Sequence, residues 1–352
     1  MKPIDDKQFY QTSKEFRDHF LESLLDLLWR QWSALGVSGY GQAQNSVVID
    51  PEALLIFSCS ICRYDQRLFD AMLDWLDKNE RFINIQRLRT MISKEKFAAA
   101  DILAAVAAGM AEKTLTPKWR RVDDAVERTA DKNSGSLFFL KNGDPMPVLG
   151  KEDTVFRQYG YLRSPVENRN RAIAFPPYSP ETLLLQMRAL FGIGAKSETL
   201  LYLLLNEKGA IQDIASNTYY SWRSIQDALF EMGHSGLLYF PESKRGRFYR
   251  LDGKPWLDIL LREHQKKIKW ICWPPLFRAF ELIWEKFNNP EFLESSPLAQ
   301  SAELRELMRA GIADRLERAG LGSLIPNYSV NGEEAYLESF QTNIDNLLRE
   351  IS

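Results

Sequence analysis

One stretch constrains the fold of this 352-residue chain more than any other. It runs from Lys196 to Leu251 and reads KSETLLYLLLNEKGAIQDIASNTYYSWRSIQDALFEMGHSGLLYFPESKRGRFYRL. A helix is expected over Ser197–Lys208, capped by Ser197, striped by Leu200, Leu201, Leu204 and Leu205, and stopped at Gly209. A short second helix starts near Ile211 and buries Ile214 and Ala215, the latter small enough for a close helix crossing. After the turn Asn217-Thr218-Tyr219-Tyr220, Ser221 caps a third helix from Trp222 to about His234. On that helix Ile225, Leu229 and Met232 fall within about 60° of one another at roughly 100° per residue, which fixes the core face. Arg223 and Asp227 then point away, Gln226 lies nearer the flank, Phe230 faces outward, and Trp222 is expected to pack at the core edge. Leu237–Phe240 and Arg247–Leu251 are rich in strand formers, and Pro241–Gly246 between them makes a turn with a basic tip.

Three helices followed by a two-stranded ribbon resemble the winged helix-turn-helix family of DNA-binding domains, most closely those of bacterial transcription regulators. The resemblance covers this stretch alone. It implies that the partner is double-stranded DNA and that Arg223 and Gln226 face base edges in the major groove. It also implies that Asp227 excludes some bases or holds Arg223, and that Tyr220 and Ser221 meet phosphate or set the helix. Lys244, Arg245 and Arg247 on the wing would follow the backbone or the minor groove. Such regulators commonly act as homodimers. Winged helices also serve as protein-binding modules, and an outward Phe230 would suit that use.

Charge bears on the choice between these uses. The whole chain carries a net charge of −2, which does not by itself suggest nucleic acid. Residues 196–270 hold 12 Lys/Arg against 9 Asp/Glu, whereas 271–352 hold 7 against 13. The positive surplus therefore sits on the winged-helix stretch, although it is small for long-range steering.

The expected architecture is mainly α. A helical domain spans 1–111, a linker or extended region with a small hairpin spans 112–178, the winged helix-turn-helix domain spans 179–270, and a helical extension spans 271–352. Helices are expected at 13–35, which is amphipathic, at Glu52–Arg63 behind an Asp50-Pro51 start, which is apolar nearly all round and so central to a core, and at Gln66–Lys78, Asn84–Ile92 and Lys96–Ala111. The helix order around Asn84–Arg89 admits a second helix-turn-helix as well as an ordinary bundle. Ser136–Leu140 and Met146–Leu149 flank a turn at 141–145. Arg157, Arg163, Arg169 and Arg171 meet a single acid, Glu167, in a segment that either packs on protein as a linker or lies on phosphates. Ser179-Pro180-Glu181 opens a helix with Leu183, Leu184, Met187 and Leu190 on its apolar side. Beyond the wing, helices are expected over Pro255–Lys269, Leu276–Phe287, Leu298–Ala319 and Glu333–Ile351, with Pro274-Pro275 as an interruption. The last part would cap the wing domain or pair two copies.

Enzymatic chemistry finds no foothold in the sequence. Cys59-Ser-Ile-Cys62 lacks the second pair that zinc needs and lies in an apolar helical run, so buried structural thiols are expected. Gly192-Ile-Gly-Ala-Lys196-Ser197 lacks both the first glycine and the preceding strand of a phosphate loop. His234 is placed to meet a helix dipole. We therefore expect no catalytic residues, no metal and no cofactor; a small-molecule effector is not legible. Three cysteines, no apolar run of membrane-spanning length and no apolar N-terminal signal point to a cytoplasmic protein.

Overall fold

The computed structural model describes residues 10, 12–38, 46–114, 117–123, 134–166, 171–239, 242–243, 246–262, 268–324 and 333–351. The protein is mainly helical with small sheets.

The first five helices are α1 (Ser13–Ala34), α2 (Pro51–Ile61), α3 (Gln66–Asn79), α4 (Ile85–Glu95) and α5 (Ala100–Thr114). Local chemistry starts them. Thr12, Asp50, Asp65 and Asn84 each accept an amide of the first turn with a side-chain oxygen, and Pro51 needs no amide partner at the head of α2. Ten of the eleven residues of α2 are buried, so this helix lies at the centre of the core rather than on its surface.

The connecting region holds α6 (Arg120–Asp123), β1 (Gly135–Ser136), α7 (Thr154–Gln158) and β2 (Tyr161–Leu162). The hairpin expected around 141–145 is reduced to one bridge, Phe139 to Pro145, and β1 pairs instead with β2 in parallel. In the arginine-rich segment Arg163 packs on protein, whereas Arg157 and Arg171 are exposed. Arg163 is buried against the rings of Phe69, Phe138 and Phe156 and paired with Asp70 at 2.6 Å. Arg157 pairs with Glu152, and the Arg171 and Ala172 amides are held by the Asp74 carboxylate. Arg169 lies outside the described residues.

Next come α8 (Leu183–Phe191), α9 (Ala195–Asn206), β3 (Lys208–Gly209), α10 (Ile211–Thr218), α11 (Trp222–His234), β4 (Leu238–Tyr239), β5 (Glu242–Ser243), β6 (Gly246–Arg247), β7 (Tyr249–Leu251) and α12 (Lys254–Leu261). A three-stranded antiparallel sheet has the order β3-β7-β4, and β5 pairs with β6 as a separate hairpin. β3 was not expected. The sequence places a helix stop at Gly209, yet α9 ends at Asn206, and Gly209 pairs with Tyr249. A Cβ on Gly209 would lie 2.8 Å from the Tyr202 ring, so only glycine lets this strand approach α9. Ser197 does not cap α9 either; it is buried in the first turn and its hydroxyl donates to the Gly192 carbonyl. Leu190 is exposed rather than buried, because α8 ends one residue later and its tip projects past the core.

The chain closes with α13 (Trp273–Phe287), α14 (Pro290–Glu294), α15 (Pro297–Leu307), α16 (Ala313–Arg318) and α17 (Glu333–Ile351). Pro274 and Pro275, expected to interrupt, instead form the first turn of α13, where missing amides cost nothing. The helix expected to reach Lys269 ends at Leu261, and Lys269 is extended, bridging to Val47. The helix expected over 298–319 is broken by a π-turn at Met308–Ile312.

Two apolar clusters organise these elements. The larger joins the N-terminal helices to the C-terminal ones: Phe57 stacks on Phe277 at 4.5 Å, Phe16 meets Phe287 at 4.7 Å, and α17 packs on both α1 and α15. The C-terminal helices thus complete the N-terminal core. The smaller cluster gathers Leu183, Leu184 and Met187 of α8, Leu200, Leu201 and Leu204 of α9, Ile214, Ile225, Leu229, and Leu238, Tyr249 and Leu251 of the sheet. Among the described residues no helix is long and apolar enough to cross a membrane.

Candidate nucleic-acid interface

Helix α11 is where the sequence placed a binding surface. Ser221 Oγ accepts the Ser224 amide at 3.1 Å, so the expected cap is present. Ile225, Ala228, Leu229 and Met232 are buried against α9 and α10. That single buried stripe leaves the opposite side to solvent: Ser221, Arg223, Gln226, Asp227 and Phe230 are all exposed. Trp222, expected at the core edge, is instead 50% exposed in the first turn beside Arg223, and Phe230 is 66% exposed. Its ring meets the edge of His234 at 4.4 Å. No ion pair joins Asp227 to Arg223 among the described residues, so nothing here has Asp227 holding Arg223. Of the wing, Lys244 and Arg245 lie outside the described residues; the backbone of Arg247 lies in β6, paired with Glu242.

Tyr220 differs from its neighbours. Its hydroxyl accepts a hydrogen bond from Asn84 Nδ2, and burial together with the charge of Glu198 pushes the phenol well above its ordinary range. The oxygen expected to meet phosphate is turned toward the protein interior.

The turn ahead of α11 is anchored throughout. Arg87 Nε donates to the Thr218 carbonyl at 2.8 Å. Tyr219 is buried in a left-handed conformation at φ 62°, its hydroxyl donating to Glu95. Such a backbone costs a β-carbon-bearing residue energy and persists only where surroundings over-determine it. Glu95 also pairs with Arg318 of α16, and Cys272 Sγ reaches the Asn217 carbonyl at 3.5 Å.

Behind this turn lies a buried ionic network. Arg87 pairs with Asp50 and, at 2.7 Å, with Glu52; Arg188 pairs with Glu52 and with Glu198, both at 2.6 Å. Arg188 also donates to the Phe82 carbonyl, and Glu52 accepts the Asn84 amide at 2.6 Å. Burial pushes the Asp50 carboxyl up, but the charge and hydrogen bonds of Arg87 more than offset it and hold the group below its ordinary value. Burial disfavours charge on both arginines, and their carboxylate partners reverse that and keep them ionised. Of the residues at Asn84–Arg89 that would form a second recognition face, Gln86 is exposed, whereas Ile85 is buried. Asn84, Arg87, Leu88, Met91 and Glu95 are all turned inward.

Cys59, Cys62 and Cys272 are buried with their thiols pushed up by desolvation, that of Cys272 to about 12. Among the described residues no group of three or more His, Cys, Asp or Glu side chains could hold a metal ion. A cavity of about 60 Å³ opens beside Trp29, Arg67 and Asp74; Asp74 Oδ2 accepts the main-chain amides of Arg171 and Ala172, whereas its Oδ1 is buried without a hydrogen-bond partner. Compared with known proteins, the chain matches no family model, no curated protein and no solved structure.

Proposed function

We propose that the protein is a DNA-binding transcription regulator of the winged helix-turn-helix kind, without catalytic activity, which presents the outward face of α11 to the major groove. The observation that carries this reading is that face. Arg223 and Gln226 stand exposed within two turns of the capped N-terminus of a helix packed across two others and beside a three-stranded sheet with a hairpin. An arginine there can donate two hydrogen bonds to a guanine edge, and a glutamine can pair similarly with adenine. The backbone amides of the first turn and Ser221 suit phosphate.

A second reading, a protein-binding module, draws on Trp222 and Phe230, two large exposed aromatics on the same face. Selection of bound sites from random duplex DNA, followed by titration of the recovered sequence against a scrambled one, separates them. A specific ratio of about 10³ or more supports the regulator. Equal or absent binding at low salt leaves the protein-binding module.

A further inference from the structure

We propose that the nucleic-acid face continues from α11 onto the C-terminal end of α4, where Lys94 and Lys96 neutralise phosphates flanking the groove; this rests on the DNA-binding reading above. A duplex interface takes most of its affinity from phosphate neutralisation, and the α11 face is poor in free cations. Arg223 has no ion pair among the described residues but shares the face with Asp227, and Lys196 is spent on Glu231. Further positive charge lies beside the turn that precedes α11. Lys94 Nζ lies 5.5 Å from the centre of the Tyr219 ring, and Tyr219 precedes the cap of α11 by only two residues, about 7 Å of chain. Lys96 ends α4 in a left-handed conformation, which carries the chain out of the helix just beyond.

The local sequence Lys94-Glu95-Lys96 would be near neutral on a solvated surface. Here the alternation is split by burial. Glu95 is 1% exposed and satisfied by Tyr219, Arg315 and Arg318. Lys94 and Lys96 are exposed, and neither has a carboxylate partner among the described residues. On α16, Asp314 is paired with Arg318, and Glu317 is exposed. Nor can the lysines drift relative to α11. Arg87 to Thr218, Asn84 to Tyr220 and Glu95 to Tyr219 tie α4 to the turn at three successive residues.

The test is an anisotropy titration of labelled random-sequence duplex DNA at several salt concentrations between about 50 and 200 mM. The double variant Lys94→Ala/Lys96→Ala should lower the slope of log K against log salt by close to two units, since each phosphate contact contributes about 0.9. Lys94→Arg/Lys96→Arg should keep the native slope. Both sites are exposed, and an unchanged melting temperature confirms folding. If the native protein binds and the alanine variant matches it in slope and affinity, the extension onto α4 is wrong while the α11 reading stands. If the native protein fails to bind at the lowest salt, both fall.

Discussion

Among single residues, Arg223 and Tyr220 make the sharpest pair. Both stand at the entrance to α11, but one points to solvent and the other to Asn84. Arg223→Ala should cost about 1–3 kcal/mol on the preferred sequence and flatten discrimination between sequences, as read by titration against matched and mismatched duplexes. Tyr220→Phe should leave the salt dependence of binding unchanged, because its hydroxyl is engaged inside the protein. It should cost about 1 kcal/mol of stability in urea unfolding, the net worth of the lost hydrogen bond. Replacing Lys244, Arg245 and Arg247 by alanine together should weaken all duplexes about equally and lower the salt slope by up to about 3 units.

At the level of elements, α2, α4, α8 and α9 are joined by buried charge as well as by hydrocarbon. Removing one partner strands the others in a dry site, so Arg188→Ala should cost about 3–5 kcal/mol by chemical denaturation. Asp50 gives the joint a pH signature. Its folded pKa lies below the ordinary 3.8, so its contribution is fully present above that value and is lost as pH falls through the folded pKa. Asp50→Asn should therefore lower stability at neutral pH and narrow the gap from the native protein in acid. Very little of this joint was legible in the sequence. The stripes of α1, α3 and α11 and the caps Asp50 and Ser221 could be read because each depends on neighbours a turn or less away. Glu52, Arg87, Arg188 and Glu198 belong to four segments, and each reads as an ordinary surface charge until the fold brings them together. β3 was missed for the same reason, since two residues have no period of their own. The exposure of Trp222 was missed because its angle on the helix lies at the border of the buried stripe.

Across the whole molecule, the N-terminal and C-terminal helices form one core. Phe277→Ala should accordingly destabilise the protein by about 3–5 kcal/mol, although Phe277 lies some 220 residues from its stacking partner Phe57 in the chain. A regulator reading two successive major grooves would set two copies of α11 about 34 Å apart. Light scattering should then report a dimer, free or on DNA, and a monomer in both states would exclude that arrangement. The shared core has a further consequence, for the order in which the protein is made. As the chain leaves the ribosome, α1 to α5 emerge long before α13 and α17 exist to cover them. Phe16, Phe20 and Phe57 must wait with their eventual partners unsynthesised. The α9–α11 segment, whose apolar contacts are mostly with near neighbours in the chain, can collapse during that wait. Birth of the molecule thus leaves its oldest helices the last to be finished, and pauses in translation before residue 273 would prolong the time they stand bare to aggregation or to a chaperone.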